Sequence, residues 1–144
     1  MRAAPALCWQ RMRVSWLDKS VTPTISARSR RRWACGCILG ELLNGKPIFP
    51  GTSTMNQLDR ILEVTGRPTA EDIDSVQSPF AATMLESMRA PDTPRLDALF
   101  PSASPEALDL LEKLMRFNPD KRISSDEALR HPYCAQVGSN GDVA

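Results

Sequence analysis

Apolar residues recur along this chain at helical spacing, and the stretches between them are cut by proline and glycine. From Trp33 to Leu43 the sequence reads Trp-Ala-Cys-Gly-Cys-Ile-Leu-Gly-Glu-Leu-Leu. It is apolar on nearly every side, which predicts a helix buried all round, and Asn44 with Gly45 supplies its stop. Lys46 to Gly51 contains Pro47 and Pro50. Each proline pushes its predecessor out of the helical region, so this stretch reads as an extended crossing. Ser53 or Thr54 caps a second helix that runs to Val64 and ends at Gly66 and Pro68. Within it Met55, Leu58, Ile61 and Leu62 form one stripe, which requires a partner surface.

Residues 69 to 103 hold two short amphipathic pieces, Ala70 to Val76 and Phe80 to Met88. A link through Pro91 and Pro94 follows, leading to Leu96, Leu99 and Phe100. The whole reads as an irregular helical insert. Ser104 as cap, Pro105 at the first helical position and Glu106 in the first turn then open a strong helix to Phe117. Leu108, Leu111 and Met115 share one of its faces, with Leu110 and Leu114 beside it. A last helix starts at Ser124, where Glu127 completes a capping box, and stops near Arg130 before His131-Pro132. The tail from Val137 is rich in Gly, Ser, Asn and Asp and is expected to fray.

Composition agrees with this picture, because Leu and Met outnumber Val, Ile, Phe, Tyr and Trp together and so favour helix over sheet. The net charge of +1 conceals two unlike regions. Residues 1–32 carry eight Lys and Arg against the single acid Asp18, whereas residues 33–144 carry ten basic groups against sixteen acids. The first region shows no sustained period and is expected to be a disordered basic segment. An organelle transit peptide is the alternative that its Arg and Ser content leaves open. Its Arg cluster lacks interleaved aromatics, so no nucleic-acid partner is expected, and no apolar run approaches a membrane span. Cys8, Cys35, Cys37 and Cys134 show neither paired nor zinc-ligand spacing, which points to reduced thiols in the cytoplasm or nucleus.

Several of these segments, in this order, resemble the C-terminal helices of eukaryotic protein kinases, the family's helices F to I. Trp33-Ala34-Cys35-Gly36-Cys37-Ile38-Leu39 is similar to the family's Asp-x-Trp-Ser-x-Gly-Cys-Ile-Leu segment. Pro47-Ile48-Phe49-Pro50-Gly51 followed by Gln57-Leu58 and Ile61 resembles the branch of mitogen-activated and cyclin-dependent kinases. Leu108-Asp109-Leu110-Leu111, Phe117-Asn118-Pro119-Asp120-Lys121-Arg122-Ile123 and Ala128-Leu129-Arg130-His131-Pro132-Tyr133 look like the closing segment. Residues 69–100 stand where mitogen-activated kinases carry an insert, and Gly51-Thr52-Ser53-Thr54 leading into Met55 looks most like the atypical extracellular-signal-regulated kinase 7/8 type. The resemblance implies a mainly α, incomplete kinase C-lobe over residues 33–135, a disordered segment before it and a flexible tail over residues 136–144. Its structural motif residues are Trp33, Gly36, Pro50, Gly51, Arg122, His131 and Pro132.

The resemblance also implies what the full-length family does, which is to transfer the ATP γ-phosphate to Ser or Thr with magnesium. That chemistry needs a Gly-rich loop and a Lys on the phosphates, an Asp and an Asn on the metal, and an Asp to accept the hydroxyl proton. This sequence has no G-x-G-x-x-G, Val-Ala-x-Lys, His-Arg-Asp, Asp-Phe-Gly or Ala-Pro-Glu, and Tyr133 is its only tyrosine. No catalytic, nucleotide-binding or metal-binding residue is therefore assigned, and the chain alone is expected to be inactive. Arg31 stands where the family has the Asp that anchors the catalytic loop. Arg122 matches an Arg that pairs with the Ala-Pro-Glu carboxylate, and without that partner it is expected to be exposed. His131, beside Pro132 at a helix end, reads as structural rather than as a base. Ser124 and Ser125 read as caps, and the acidic docking patch that follows His-Pro-Tyr in the family is reduced to Asp142. By resemblance a pocket for Phe-containing motifs maps onto Met55, Leu58 and Met84; the plainer account makes Met55 and Leu58 core residues of their stripe. A docking or dominant-negative module, with a protein partner at the exposed helix F or at helix G and the insert, is the alternative function. A non-functional gene-model fragment is the third reading.

Overall fold

The computed structural model describes residues 27–75 and 79–140. The expectation of disorder for residues 1–26 lies outside them. Among the described residues every regular element is helical. Helix α1 spans Ala27–Asn44, α2 Thr54–Thr65, α3 Ala70–Ser75, α4 Pro79–Glu86, α5 Leu96–Leu99 and α6 Pro105–Leu114. A 3-10 turn, Pro119–Lys121, precedes α7 Ser125–Leu129 and α8 Pro132–Asn140.

Local chemistry sets most of these boundaries. The Ser53 hydroxyl accepts from the Asn56 N–H to start α2, and the Ser104 hydroxyl accepts from Ala107 N–H to start α6, with Pro105 next in line. At α7 the reciprocal box is present: Ser124 Oγ accepts from Glu127 N–H and the Glu127 carboxylate from Ser124 N–H. These hydrogen bonds hold the Glu127 carboxyl below its ordinary value. Helices α1 and α2 stop at Gly45 and Gly66, with φ of 70° and 76°.

Two expectations need correction. Helix α1 begins at Ala27, not Trp33, so the Arg run belongs to its first turns rather than to an unstructured tail. At the other end the chain is helical through Asn140, so the fraying expected from Val137 is replaced by α8 up to that residue. In both places the composition argued for disorder, but neighbouring elements hold the backbone: Ser29 is buried against the 3-10 turn, and α8 packs on α6 and α7.

The main core lies between α1 and α6. Cys37 of α1, Leu110, Leu111 and Leu114 of α6, and the following Met115 pack with Phe49, Ile61, Val64, Leu96 and Phe100. Leu111 is fully buried, and burial of such a side chain is worth about 1.5–3 kcal/mol relative to exposure. A smaller cluster joins Leu58 and Leu62 of α2 to Leu85 of α4 and to Met88, with Ile73 and Phe117 packed against it. This is the partner surface the α2 stripe requires, and it seats the insert on the rest of the molecule.

Gly36 marks the close approach of α1 to the end of α6. A Cβ added there would lie 2.5 Å from Met115 Cγ and 3.2 Å from Leu114 Cβ, inside ordinary contact distance. Gly51 is closed in the same way by the backbone and side chain of Gln57. Gln57 in turn donates its amide to the Phe49 carbonyl at 3.1 Å, fixing the crossing between α1 and α2.

Candidate functional site

The motif residues gather where the first turns of α1 meet the loop after α6. Trp33 projects from α1 and stacks on Phe49, with ring centroids 5.8 Å apart and planes 8° from parallel. The Arg122 guanidinium stands 4.8 Å from the centre of the Trp33 ring, within cation–π range. Arg122 also donates from Nε to the Arg116 carbonyl at 2.8 Å, from Nη1 to the Ser29 carbonyl at 3.1 Å and from Nη2 to the Phe117 carbonyl at 3.3 Å.

Arg122 was expected to be exposed, and it is half-buried. Backbone carbonyls and an indole face surround the guanidinium, and the charge of Asp120 adds to their attraction. Burial first, and the nearby Arg32 second, lower its pKa to about 10, which leaves the guanidinium charged at neutral pH. Arg32 adds a second tie across the same junction, donating from Nη1 to the Arg122 and Ile123 carbonyls at 2.9 and 3.0 Å. Ser29 Oγ completes it, donating to the Pro119 carbonyl at 3.1 Å. Sequence reasoning missed Ser29 and Arg32, because a run of Ser and Arg carries no periodic signal.

His131 is buried and lies 2.7 Å through Nε2 from Asp109 Oδ2, while its Nδ1 accepts from the Tyr133 N–H at 3.3 Å. The backbone donor leaves Nδ1 unprotonated, so Nε2 carries the hydrogen that Asp109 accepts. Asp109 also accepts from Lys113 Nζ at 2.7 Å, and Lys113 first, then His131, hold its carboxyl below the usual range. The ring is thus spent on bracing α8 against α6. Pro132 opens α8 beside it and is exposed. Pro50, also exposed, lies in the crossing just before Gly51.

The residues mapped to a docking pocket part company. Leu58 is 1% exposed and belongs to the smaller core, whereas Met55 is 43% exposed and Met84 is half-buried. Leu58 therefore fits the plain core account and Met55 does not. The helix expected to be buried all round is also open along one face: Cys35 is exposed, Ile38 is 44% exposed and Leu42 78%.

A helical array of this kind, with Trp33 and Arg122 joined across the start of α1, is the base of a kinase large lobe. The chain belongs to the protein kinase family, whose domain model matches residues 26–134, and within it to the mitogen-activated branch. It is 65% identical over 105 residues to extracellular signal-regulated kinase 2 of Dictyostelium discoideum, covering 72% of this chain and 28% of that protein. It is 50% identical over 108 residues to mitogen-activated protein kinase 15 of Xenopus laevis, covering 74% of this chain and 18% of that one. It is also 50% identical over 112 residues to mitogen-activated protein kinase spk1 of Schizosaccharomyces pombe, covering 76% and 30%. The likeness to kinase 15 is consistent with the extracellular-signal-regulated kinase 7/8 type. The chain spans under a third of the length of each of these relatives.

Proposed function

We propose that this chain supplies the helical base of a mitogen-activated serine/threonine kinase large lobe and transfers no phosphate by itself. The observation that carries the reading is the absence from its sequence of every motif that holds nucleotide, magnesium or the substrate hydroxyl. No group of three or more His, Cys, Asp or Glu among the described residues is placed to hold a metal, and the adjacent carboxylates Glu71 and Asp72 are both engaged by Lys121. The thiols of Cys35 and Cys134, which form no disulfide, support a place in the cytoplasm or nucleus, and no described helix is long and apolar enough to cross a membrane. The test is titration of the purified chain with magnesium-ATP, followed by a phosphotransfer assay. No saturable binding and no turnover are expected, and metal-dependent turnover would overturn the reading.

Docking of Phe-containing peptides is the second reading, favoured by the exposure of Met55. Leu58 is a poor probe of it because its loss would open the smaller core. Met55→Asp should leave the melting transition in place and weaken a Phe-motif peptide about tenfold; equal binding by wild type and variant removes the docking idea.

A further inference from the structure

The link between α4 and α5 carries an exposed threonine followed by proline, Thr93-Pro94, in a stretch outside any helix. The proline ring disfavours the helical region for the residue before it, so Thr93 is kept out of that region. Two backbone hydrogen bonds to the end of α2 bound this loop: the Arg67 N–H donates to the Pro91 carbonyl at 2.8 Å, and the Arg95 N–H to the Glu63 carbonyl at 3.4 Å. Pro94 sits against Gly66, where an added Cβ would lie 3.1 Å from Pro94 Cδ. The loop therefore rests on α2 through its proline and leaves the threonine in solvent. Its second tie is longer than the usual N–H···O range, so the loop lifts most easily from the Arg95 end.

An enzyme that modifies a side chain must draw the surrounding backbone into its cleft, and an exposed, non-helical loop yields to this at least cost. Ser104-Pro105 is the other Ser/Thr-Pro pair among the described residues, but the Ser104 hydroxyl caps α6 and Pro105 already lies in its first turn. We propose that Thr93 is a phosphorylation site for a proline-directed serine/threonine kinase. A bond forms from Thr93 Oγ1 to the γ-phosphorus of magnesium-ATP as the bond from that phosphorus to the β,γ-bridging oxygen breaks. ADP leaves, and the hydroxyl proton passes to a carboxylate of the modifying kinase. The product also finds a receiver in this chain. Arg67 Nε reaches Asp92 Oδ1 at only 3.8 Å, with both side chains mostly exposed, and such a pair is worth little. A phosphate one residue further on brings about −1.5 to −2 charges and three acceptor oxygens, which suit the planar fork of Arg67 better than one distant carboxylate oxygen. Arg95 is exposed two positions after Thr93 and adds to the attraction. Asp92 opposes it, while Glu63 is paired with Arg60. The phosphate therefore draws Arg67 away from Asp92 and adds a tie between the loop and the end of α2.

The test incubates the full chain with a purified proline-directed kinase and magnesium-ATP and maps the phosphate by mass spectrometry. Thr93 should carry it, above a control lacking the added kinase, and Ser104 should stay unmodified. Thr93→Ser should keep the label at this position, whereas Pro94→Ala should slow labelling about tenfold, with an unchanged circular dichroism melt checking its fold. Phosphorus NMR of the labelled chain should show the phosphothreonine titrating at lower pH than in the labelled Arg67→Gln protein, because Arg67 favours the dianion. The Arg67 side chain is mostly exposed, so its replacement leaves the fold in place. The proposal is overturned if Thr93 stays unmodified, if Ser104 is labelled as fast as Thr93, or if Pro94→Ala is labelled as fast as the wild type. It is also overturned if the phosphate titrates alike with and without Arg67.

Discussion

Arg122 shows how backbone acceptors and an aromatic face can hold one guanidinium. Its guanidinium is satisfied by carbonyls of residues 29, 116 and 117 and by the Trp33 face. Arg122→Ala should therefore cost about 2 kcal/mol in denaturant unfolding. Arg122→Lys should recover less than half of that, because an ammonium cannot reproduce the planar fork. At Gly36 the constraint is space. Gly36→Ala should destabilise by about 1–3 kcal/mol, and pairing it with Met115→Ala should give a coupling of opposite sign, since the truncated side chain vacates the position the new methyl needs. The need for small size at residue 36 is legible in the sequence only through family likeness. The exposure expected of Arg122 failed for a definite reason: its acceptors are backbone atoms up to 93 positions away, and no side-chain pattern announces a carbonyl.

Among the elements, the reliable readings were those whose cause is local. Caps at Ser53, Ser104 and Ser124 and the stop at Gly66 need only a few consecutive residues, and each appears as expected. Boundaries set by distant packing were misplaced, as at the start of α1. The insert offers a test at this scale. Asp72 of α3 accepts from Lys121 Nζ at 2.8 Å and from Asn118 Nδ2 at 3.3 Å, and so holds the insert to the 3-10 turn. Burial pushes its carboxyl up, but Lys121, Thr69 and Asn118 together hold it below its ordinary value. A lowered folded-state value means that the contribution is present above the unfolded value near 4 and is lost as pH falls through the folded one. Asp72→Asn should weaken the neutral-pH fold by about 1 kcal/mol and lessen the loss of stability as pH falls below about 4. Hydrogen exchange in α3 and α4 should rise in that variant while α6 stays protected.

At the level of the molecule, the two clusters and the open face of α1 were legible in different degrees. The stripes of α2 and α6 foretold buried Leu58, Leu62, Leu110 and Leu111. The near-uniform apolar run of α1 foretold full burial, and the observed opening at Ile38 and Leu42 reflects the lack of any described element on that side. Leu42→Asp should leave the unfolding free energy within about 0.5 kcal/mol and reduce binding of a hydrophobic dye, because it removes an apolar group that was never buried. Leu111→Ala should cost about 2–5 kcal/mol.

The ties from Ser29 and Arg32 to Pro119, Arg122 and Ile123 join positions about ninety residues apart. During synthesis α1 precedes the residues of these ties by about ninety positions. At about 5–20 residues per second, that helix spends several seconds as a sticky, unclasped rod. Its fate in a cell is therefore decided by whatever shields it during that wait, and chaperone supply should govern yield more strongly than the stability of the finished fold.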